Sequence, residues 1–189
     1  MKRRLIQWAK PVLKKLLGIS DTAYVDALRK KGFRVGDNFN MQEGCIIDGS
    51  HSYHIEIGNN VTLAPNVHIL AHDASTWTFL EYTKIRNVKI GDRVFIGAGS
   101  IVMPGVTIGN DVIIGAGSIV TKSIPENCIY AGNPAKFMMH TDVYIEREKA
   151  KMTAENTFGT DYSEATDVSM DKKEHLKQMA ERYGTAYLK

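Results

Sequence analysis

Histidine is the side chain best suited to carrying protons near neutral pH, and this chain has six: His51, His54, His68, His72, His140 and His175. Their settings in sequence differ. His140 and His175 stand in polar segments and read as solvated, while His51 and His54 fall in an irregular stretch, 50–56, and read as surface residues. His68 takes an outward-facing place in a repeat. His72 sits in Ala71-His72-Asp73, at the root of a long stretch that breaks the repeat. A general base requires that placement, fixed by a rigid scaffold with a cleft beside it. Only a neutral imidazole accepts a proton, so a reaction run through His72 is expected to gain rate as pH rises through one ionisation.

The scaffold that positions His72 is legible from Ile90 to Ile124, where the chain repeats every six residues. Ile90, Ile96, Val102, Ile108, Ile114 and Val120 open successive units, and Val94, Ser100, Val106, Val112, Ser118 and Ile124 stand four places on. Helices want apolar spacings of three and four, and simple strands want alternation. A sustained period of six fits neither. It fits a parallel β-helix of short strands and tight corners, each unit burying its apolar side against its neighbours. Glycine follows most openers, at Gly91, Gly97, Gly109 and Gly115, where it is expected to supply backbone angles closed to β-branched residues. Fainter units open at Val35, Met41 and Ile47, and after the interruption at Ile57, Leu63 and Ile69. Three units close one triangular turn, giving about four coils and a prism about 20 Å tall. Residues 75–89 fit no unit and are expected to leave the prism as a loop carrying Trp77, Phe79 and Tyr82.

The flanks complete three segments: a helical cap at 1–34, the β-helix at 35–125, and a turn-rich exit with helices at 126–189. In the first, Leu5, Trp8, Val12, Leu13 and Leu16 share one face, with lysines and arginines around the rest. The preferred reading of that pattern is a cap over the open end of the solenoid, because a β-helix needs its terminal coil covered, with a weak contact with a membrane surface as the alternative. A second helix is expected from Asp21 to a stop at Gly32, a short charged helix at 141–151, and a closing helix from about Asp171 to Leu188.

One chain of 189 residues holds enough material for a core, and a net charge of +3 is too small to argue for nucleic acid. No apolar run approaches the roughly 18 residues of a membrane span. The basic start lacks the apolar stretch and cleavage site of a signal peptide. Cys45 and Cys128 are far apart without metal-like spacing, as expected of buried thiols in a reducing compartment, and the cytoplasm is the default.

Ile57-Gly58-Asn-Asn-Val, Ala71-His72-Asp73, the loop, Ile90-Gly91-Asp-Arg-Val-Phe-Ile-Gly-Ala-Gly-Ser, Val120-Thr121-Lys122 and Gly132-Asn-Pro-Ala-Lys136 together resemble the hexapeptide-repeat acyltransferases. Within them the likeness is to the sugar O-acetyltransferases, including the galactoside and maltose enzymes and those acting on bacterial polysaccharides. It spans about residues 35–139. The resemblance implies a left-handed β-helix, a homotrimer, and acetyl-CoA held in the groove between neighbouring prisms, with no metal required. It makes His72 the base that deprotonates an acceptor hydroxyl. It places Ala98, Ala116, Thr121 and Lys122 along the pantetheine arm and nucleotide, Lys136 at the phosphates, and Phe95 where many relatives carry tryptophan. Met139 departs from the pattern, since relatives often have a basic residue there. Gln42, Asp48 and Tyr82 are candidates for contact with the acceptor, a sugar or glycan.

Three rival readings share the scaffold. An N-acetyltransferase of amino sugars or sugar nucleotides differs only in its acceptor. A non-enzymatic scaffold would leave His72, the loop and the Gly-Asn-Pro-Ala-Lys segment without purpose. A γ-type carbonic anhydrase would need three histidines meeting at a subunit interface, and 90–123 contains none.

Overall fold

The computed structural model describes residues 21–163 and 167–189, so the amphipathic segment at 1–20 lies outside the described residues. The chain divides into two compact units, the first ending at Thr141 and the second running Asp142–Lys189.

In the first unit, helix α1 (Asp21–Arg29) stops through Gly32, whose φ of 96° lets Phe33 N donate to Leu28 O at 3.1 Å. Val25, Leu28 and Phe33 are buried in the core of the β-helix, and Tyr24 Oη donates to Ile47 O at 3.0 Å. Strands β1 (Arg34–Val35), β2 (Asn40–Met41) and β3 (Ile46–Ile47) then make one turn, and β4 (Ile55–Ile57), β5 (Thr62–Leu63) and β6 (His68–Ile69) the next. A hairpin follows, β7 (His72–Asp73) and β8 (Lys84–Ile85), enclosing the short helix α2 (Trp77–Leu80). The turns resume with β9 (Val88–Ile90), β10 (Phe95–Ile96), β11 (Ile101–Val102), β12 (Thr107–Ile108), β13 (Ile113–Ile114) and β14 (Ile119–Val120). The exit is β15 (Cys128–Ala131) and β16 (Lys136–His140), joined through a cis Asn133–Pro134 bond.

Stacking turns produces three parallel sheets. Sheet A is β1-β4-β9-β12, sheet C is β3-β6-β11-β14, and sheet B is β2-β5-β10-β13-β15 with β16 added antiparallel. In-register pairing such as Leu63↔Ile96↔Ile114 aligns the openers in columns, and those from Met41 to Val120 are buried. The serines buried in the repeat are satisfied: Ser118 Oγ donates to Gly115 O at 2.5 Å and accepts from Gly132 N at 3.0 Å. The outward rows differ between faces. Sheet A presents an ion-paired ladder, Arg34–Glu56 at 2.6 Å and Lys89–Glu56 at 3.6 Å. Sheets B and C present Phe95, Ile113 and Ile129, and Ile46, Ile101 and Ile119, to the outside.

Two expectations are corrected here. The glycines after the openers do not adopt the left-handed conformation; that falls three places after the opener, at Asn38, Gly44, Asn60, Asn66, Arg93, Gly99, Gly105, Asp111, Gly117 and Asn127. Asparagine and glycine tolerate it best. The glycine after an opener is instead required for space, because the next turn passes directly over it. A Cβ on Gly109 would lie 2.5 Å from Glu126 N and 2.8 Å from its Cα, both immovable backbone. Gly109→Ala is therefore expected to cost about 1–3 kcal/mol by overpacking, read as a lower denaturant midpoint. The second correction concerns the loop, which ends at residue 87. Ile55-Glu56-Ile57 and Val88-Lys89-Ile90 alternate in-out-in and pair, with Ile55 and Val88 both fully buried, so 88 and 89 belong to the prism.

The second unit contains α3 (Thr141–Lys151), β17 (Thr157–Phe158), α4 (Met170–Tyr183) and β18 (Tyr187–Leu188). The closing helix is shorter than its periodicity suggests. Gly184 takes φ 73° and ends it, and Tyr187 pairs in β18 with Thr157 of β17 instead of extending the helical face. Phe158 is buried beside Tyr162 and His175, whose Nδ1 lies 3.0 Å from Tyr162 Oη.

Candidate active site

His72 lies at the corner between sheets C and A, where the chain leaves the repeat. The hairpin fixes its backbone by pairing His72 with Ile85 and Asp73 with Lys84. Lys84 Nζ meets Asp73 Oδ2 at 2.5 Å, and that hydrogen bond, with a second from Ser75 N, holds the Asp73 carboxyl far below the usual carboxylate range. Above this anchored base, Thr76 Oγ1 donates to Tyr82 O at 2.7 Å, and Trp77, Phe79, Leu80 and Tyr82 stand exposed. Arg86 rests its stem over Gly105 of the following turn, at the same corner.

Behind His72 lies Asp48, 5% exposed, at the corner after β3. Its Oδ1 accepts Ser50 N and His51 N, both at 3.2 Å, and its Oδ2 accepts Ala71 N at 3.1 Å. The fourth position is taken by His72 Nδ1, in a short hydrogen bond to Oδ2. Burial works against the charge of Asp48, but the bonds from His72, Ala71 and His51 outweigh it and leave the carboxyl below its ordinary value. As a candidate for acceptor contact Asp48 is thus relocated, since each of its lone-pair directions faces the protein. With Nδ1 donating to a fixed carboxylate, His72 keeps the tautomer that leaves a lone pair on Nε2, and its side chain is 35% exposed.

His51, expected at the surface, packs its ring against that of His72 with centroids 4.7 Å apart. Its Nδ1 is buried without a hydrogen-bond partner and lies 3.8 Å from Asp48 Oδ1. No periodic signal links 48, 51 and 72, because a 3₁₀ turn at Ser52–His54 and a full coil intervene. The sequence signal that could have found them is Asp48 itself, an acidic residue directly after a buried opener. His68 stays apart in β6, between Ile46 and Ile101 on sheet C.

The remaining candidates are spread over the prism and its loop. Ala98 and Ala116 are stacked at the corner between sheets B and C, tied by Gly117 N to Ala98 O at 2.8 Å, and both are exposed. Phe95 is 44% exposed on sheet B, between Thr62 and Ile113. Thr121 and Lys122 are exposed after β14, at the same corner as His72. Ala135 N donates to Ile119 O at 2.9 Å, which brings the neighbouring Lys136 to the edge of β14. Gln42 is exposed after β2, bound to Asn40 Oδ1 at 2.9 Å, and Tyr82 is exposed on the loop. One chain therefore groups His72, Asp48, Thr121 and Lys122 at one corner, and sheet C separates them from Ala98 and Ala116.

A prism of stacked six-residue units defines a class, and the comparisons agree on it. The model of the bacterial transferase hexapeptide (six repeats) matches residues 87–122. Protein CapG of Staphylococcus aureus is 46% identical over 127 residues, covering 63% of this chain and 72% of that one. The crystal structure of a maltose O-acetyltransferase from Clostridium difficile superposes with a TM-score of 0.52 at 34% identity, covering 65% of this chain and 76% of that chain. Galactoside O-acetyltransferase of Escherichia coli is 39% identical over 109 residues, 52% of this chain and 47% of its own length. The chain belongs to the hexapeptide-repeat transferase family. It is an acyltransferase.

Proposed function

We propose that this acyltransferase moves an acetyl group from acetyl-CoA to a hydroxyl of a sugar or polysaccharide precursor. The observation that carries the reading is the hydrogen bond from His72 Nδ1 to the buried Asp48 carboxylate, which frees Nε2 to act as base. Nε2 takes the acceptor's proton as its oxygen attacks the thioester carbonyl. The carbon–sulfur bond breaks, and the leaving thiolate recovers the proton from the imidazolium. Asp48 holds the ring and stabilises the imidazolium charge between the two transfers. The named substrates of the maltose and galactoside relatives support a sugar acceptor. Tyr82 and Gln42, both exposed, are the residues assigned to its contact. Release of CoA with a panel of sugars, polysaccharide precursors and amino sugars tests the assignment; transfer to amines alone would reject it.

The donor lies in a groove between two copies of the chain, in a homotrimer of left-handed β-helices. Support comes from the apolar outward rows of sheets B and C beside the charged ladder of sheet A. Light scattering should return three chains per particle, and an active monomer would exclude a shared groove. Phe95, Ala98, Ala116 and Thr121 line the pantetheine arm, while Lys122 and Lys136 meet the phosphates. Lys136→Ala and Lys122→Ala should each raise the KM for acetyl-CoA by roughly tenfold, the loss of one charge-assisted contact, with turnover little changed. We place the enzyme in the cytoplasm, in keeping with two free, buried cysteines and with the absence among the described residues of any helix long and apolar enough to cross a membrane.

A further inference from the structure

The buried Nδ1 of His51 needs an explanation that the proposed transfer does not supply. It is a polar atom without a partner, 3.8 Å from a carboxylate whose lone pairs already serve backbone N–H groups and His72. Buried nitrogen lone pairs are ordinarily satisfied, and an orphan calls for a reason. Three donors meet here: Asp48 and His51 from the segment that follows β3, and His72 from the loop root. Their ligating atoms all lie within 4.8 Å of one another.

We infer that His51, Asp48 and His72 form a site for a divalent transition metal, with zinc the best-matched ion, and that filling it switches the base off. Two imidazoles and one carboxylate are a donor set that suits zinc, cobalt and nickel. The carboxylate is already an anion held in place by three backbone N–H groups, so one ligand is preorganised. Ligand atoms around a tetrahedral zinc stand about 3.3–3.6 Å apart, given bonds of about 2.0–2.2 Å. The Asp48–His72 pair must open to reach that spacing, and the His51–Asp48 pair must close slightly. Both rings have freedom to do so, with His72 35% and His51 22% exposed.

The consequence for the reaction follows from the tautomer, and rests on His72 being the base. In the metal-free site the His72 proton is on Nδ1 and the lone pair is on Nε2. A metal binds the Nδ1 lone pair, so that proton must leave Nδ1; it returns through solvent to Nε2, and the ring stays neutral. Nε2 then carries a hydrogen and accepts nothing. The metal needs no contact with either substrate to inhibit, and removing it restores the original tautomer.

The test separates binding from activity. Equilibrium dialysis of the purified full chain against micromolar zinc should find one ion per chain, and cobalt substituted at the site should give the visible absorption of a nitrogen- and oxygen-ligated ion. His51→Phe, which keeps a ring against His72 but removes the ligand, should lower zinc affinity by at least about tenfold, the scale on which a lost ligating contact is felt. Nitrogen NMR of the His72 ring should move from the Nδ1–H to the Nε2–H form on adding zinc, and back with a chelator. Failure to bind zinc, or equal binding by wild type and His51→Phe, overturns the site. Binding with an unchanged His72 tautomer overturns the switch. His72→Ala assayed in chelator-treated buffer reports separately on whether His72 is the base, so a failure of that reading is recognised without reference to metal.

Discussion

Replacing His72 with alanine should lower turnover by roughly 10²–10⁴-fold, the usual contribution of a positioned general base. The KM for acetyl-CoA should stay within about twofold, because the contacts proposed for the phosphates and pantetheine are made by other side chains. The proposed trimer should be unaffected as well, since His72 is partly exposed and contributes nothing to the buried columns. The size of the loss also distinguishes acceptors. A sugar hydroxyl is a poor nucleophile until its proton is removed, whereas a neutral amine already has its lone pair. A full loss with hydroxyl acceptors supports O-transfer. Near-normal activity of His72→Ala on the true acceptor would remove His72 from the mechanism and leave only the fold standing.

Asp48→Asn should lower turnover on the order of 10²-fold, near the lower end of what loss of the base costs. The two carboxylate oxygens each accept two hydrogens, Oδ1 from Ser50 N and His51 N, and Oδ2 from Ala71 N and His72 Nδ1. An amide has one oxygen and one NH₂, so one pair of donors must face another donor. If the NH₂ faces His72, Nδ1 becomes an acceptor and the proton moves to Nε2, which disables the base. If it faces Ser50 and His51, the corner that carries Asp48 loses its bonds. The first outcome lowers turnover and leaves only the Ala71 N–H without its acceptor. The second leaves both Ser50 N and His51 N without theirs and lowers stability more. Kinetics and denaturant midpoints on the same variant therefore tell them apart. The pH dependence has a defined sign. A carboxyl whose folded value is depressed stabilises the fold above its ordinary range and loses that contribution as pH falls through the lowered folded value. The stability gap between wild type and Asp48→Asn should therefore be widest near neutrality and close in strong acid. A gap that widened on acidification would contradict the assigned charge.

The repeat was legible because burial in a β-helix is periodic. Each opener from Met41 to Val120 points into the prism, and each partner four places on fills the space beneath a corner, so the column structure is written in the order of residues. The position of His72 was legible too, because the repeat ends beside it. Other features were hidden for definite reasons. The left-handed positions moved to the third place after the opener, since the corner, not the strand end, needs that backbone. Val88 and Lys89 looked like loop because a three-residue strand adds an inward residue outside the six-residue phase. The closing helix is expected from the sequence to run on to Leu188, but Gly184 ends it before Tyr187.

The sequence by itself determined the solenoid, the loop root and the candidate base, all of which depend on local order and period. Only the tertiary structure decided what the base touches. Asp48 and His72 are 24 residues apart and meet because successive turns of the prism stack corner over corner, and His51 arrives through an irregular turn with no period at all. Contacts between turns are fixed by how many residues each turn spends at its corners. Interruptions at 50–54 and 74–87 change that number, and the hydrophobic pattern marks where the repeat stops but not which residues the irregular segments bring together.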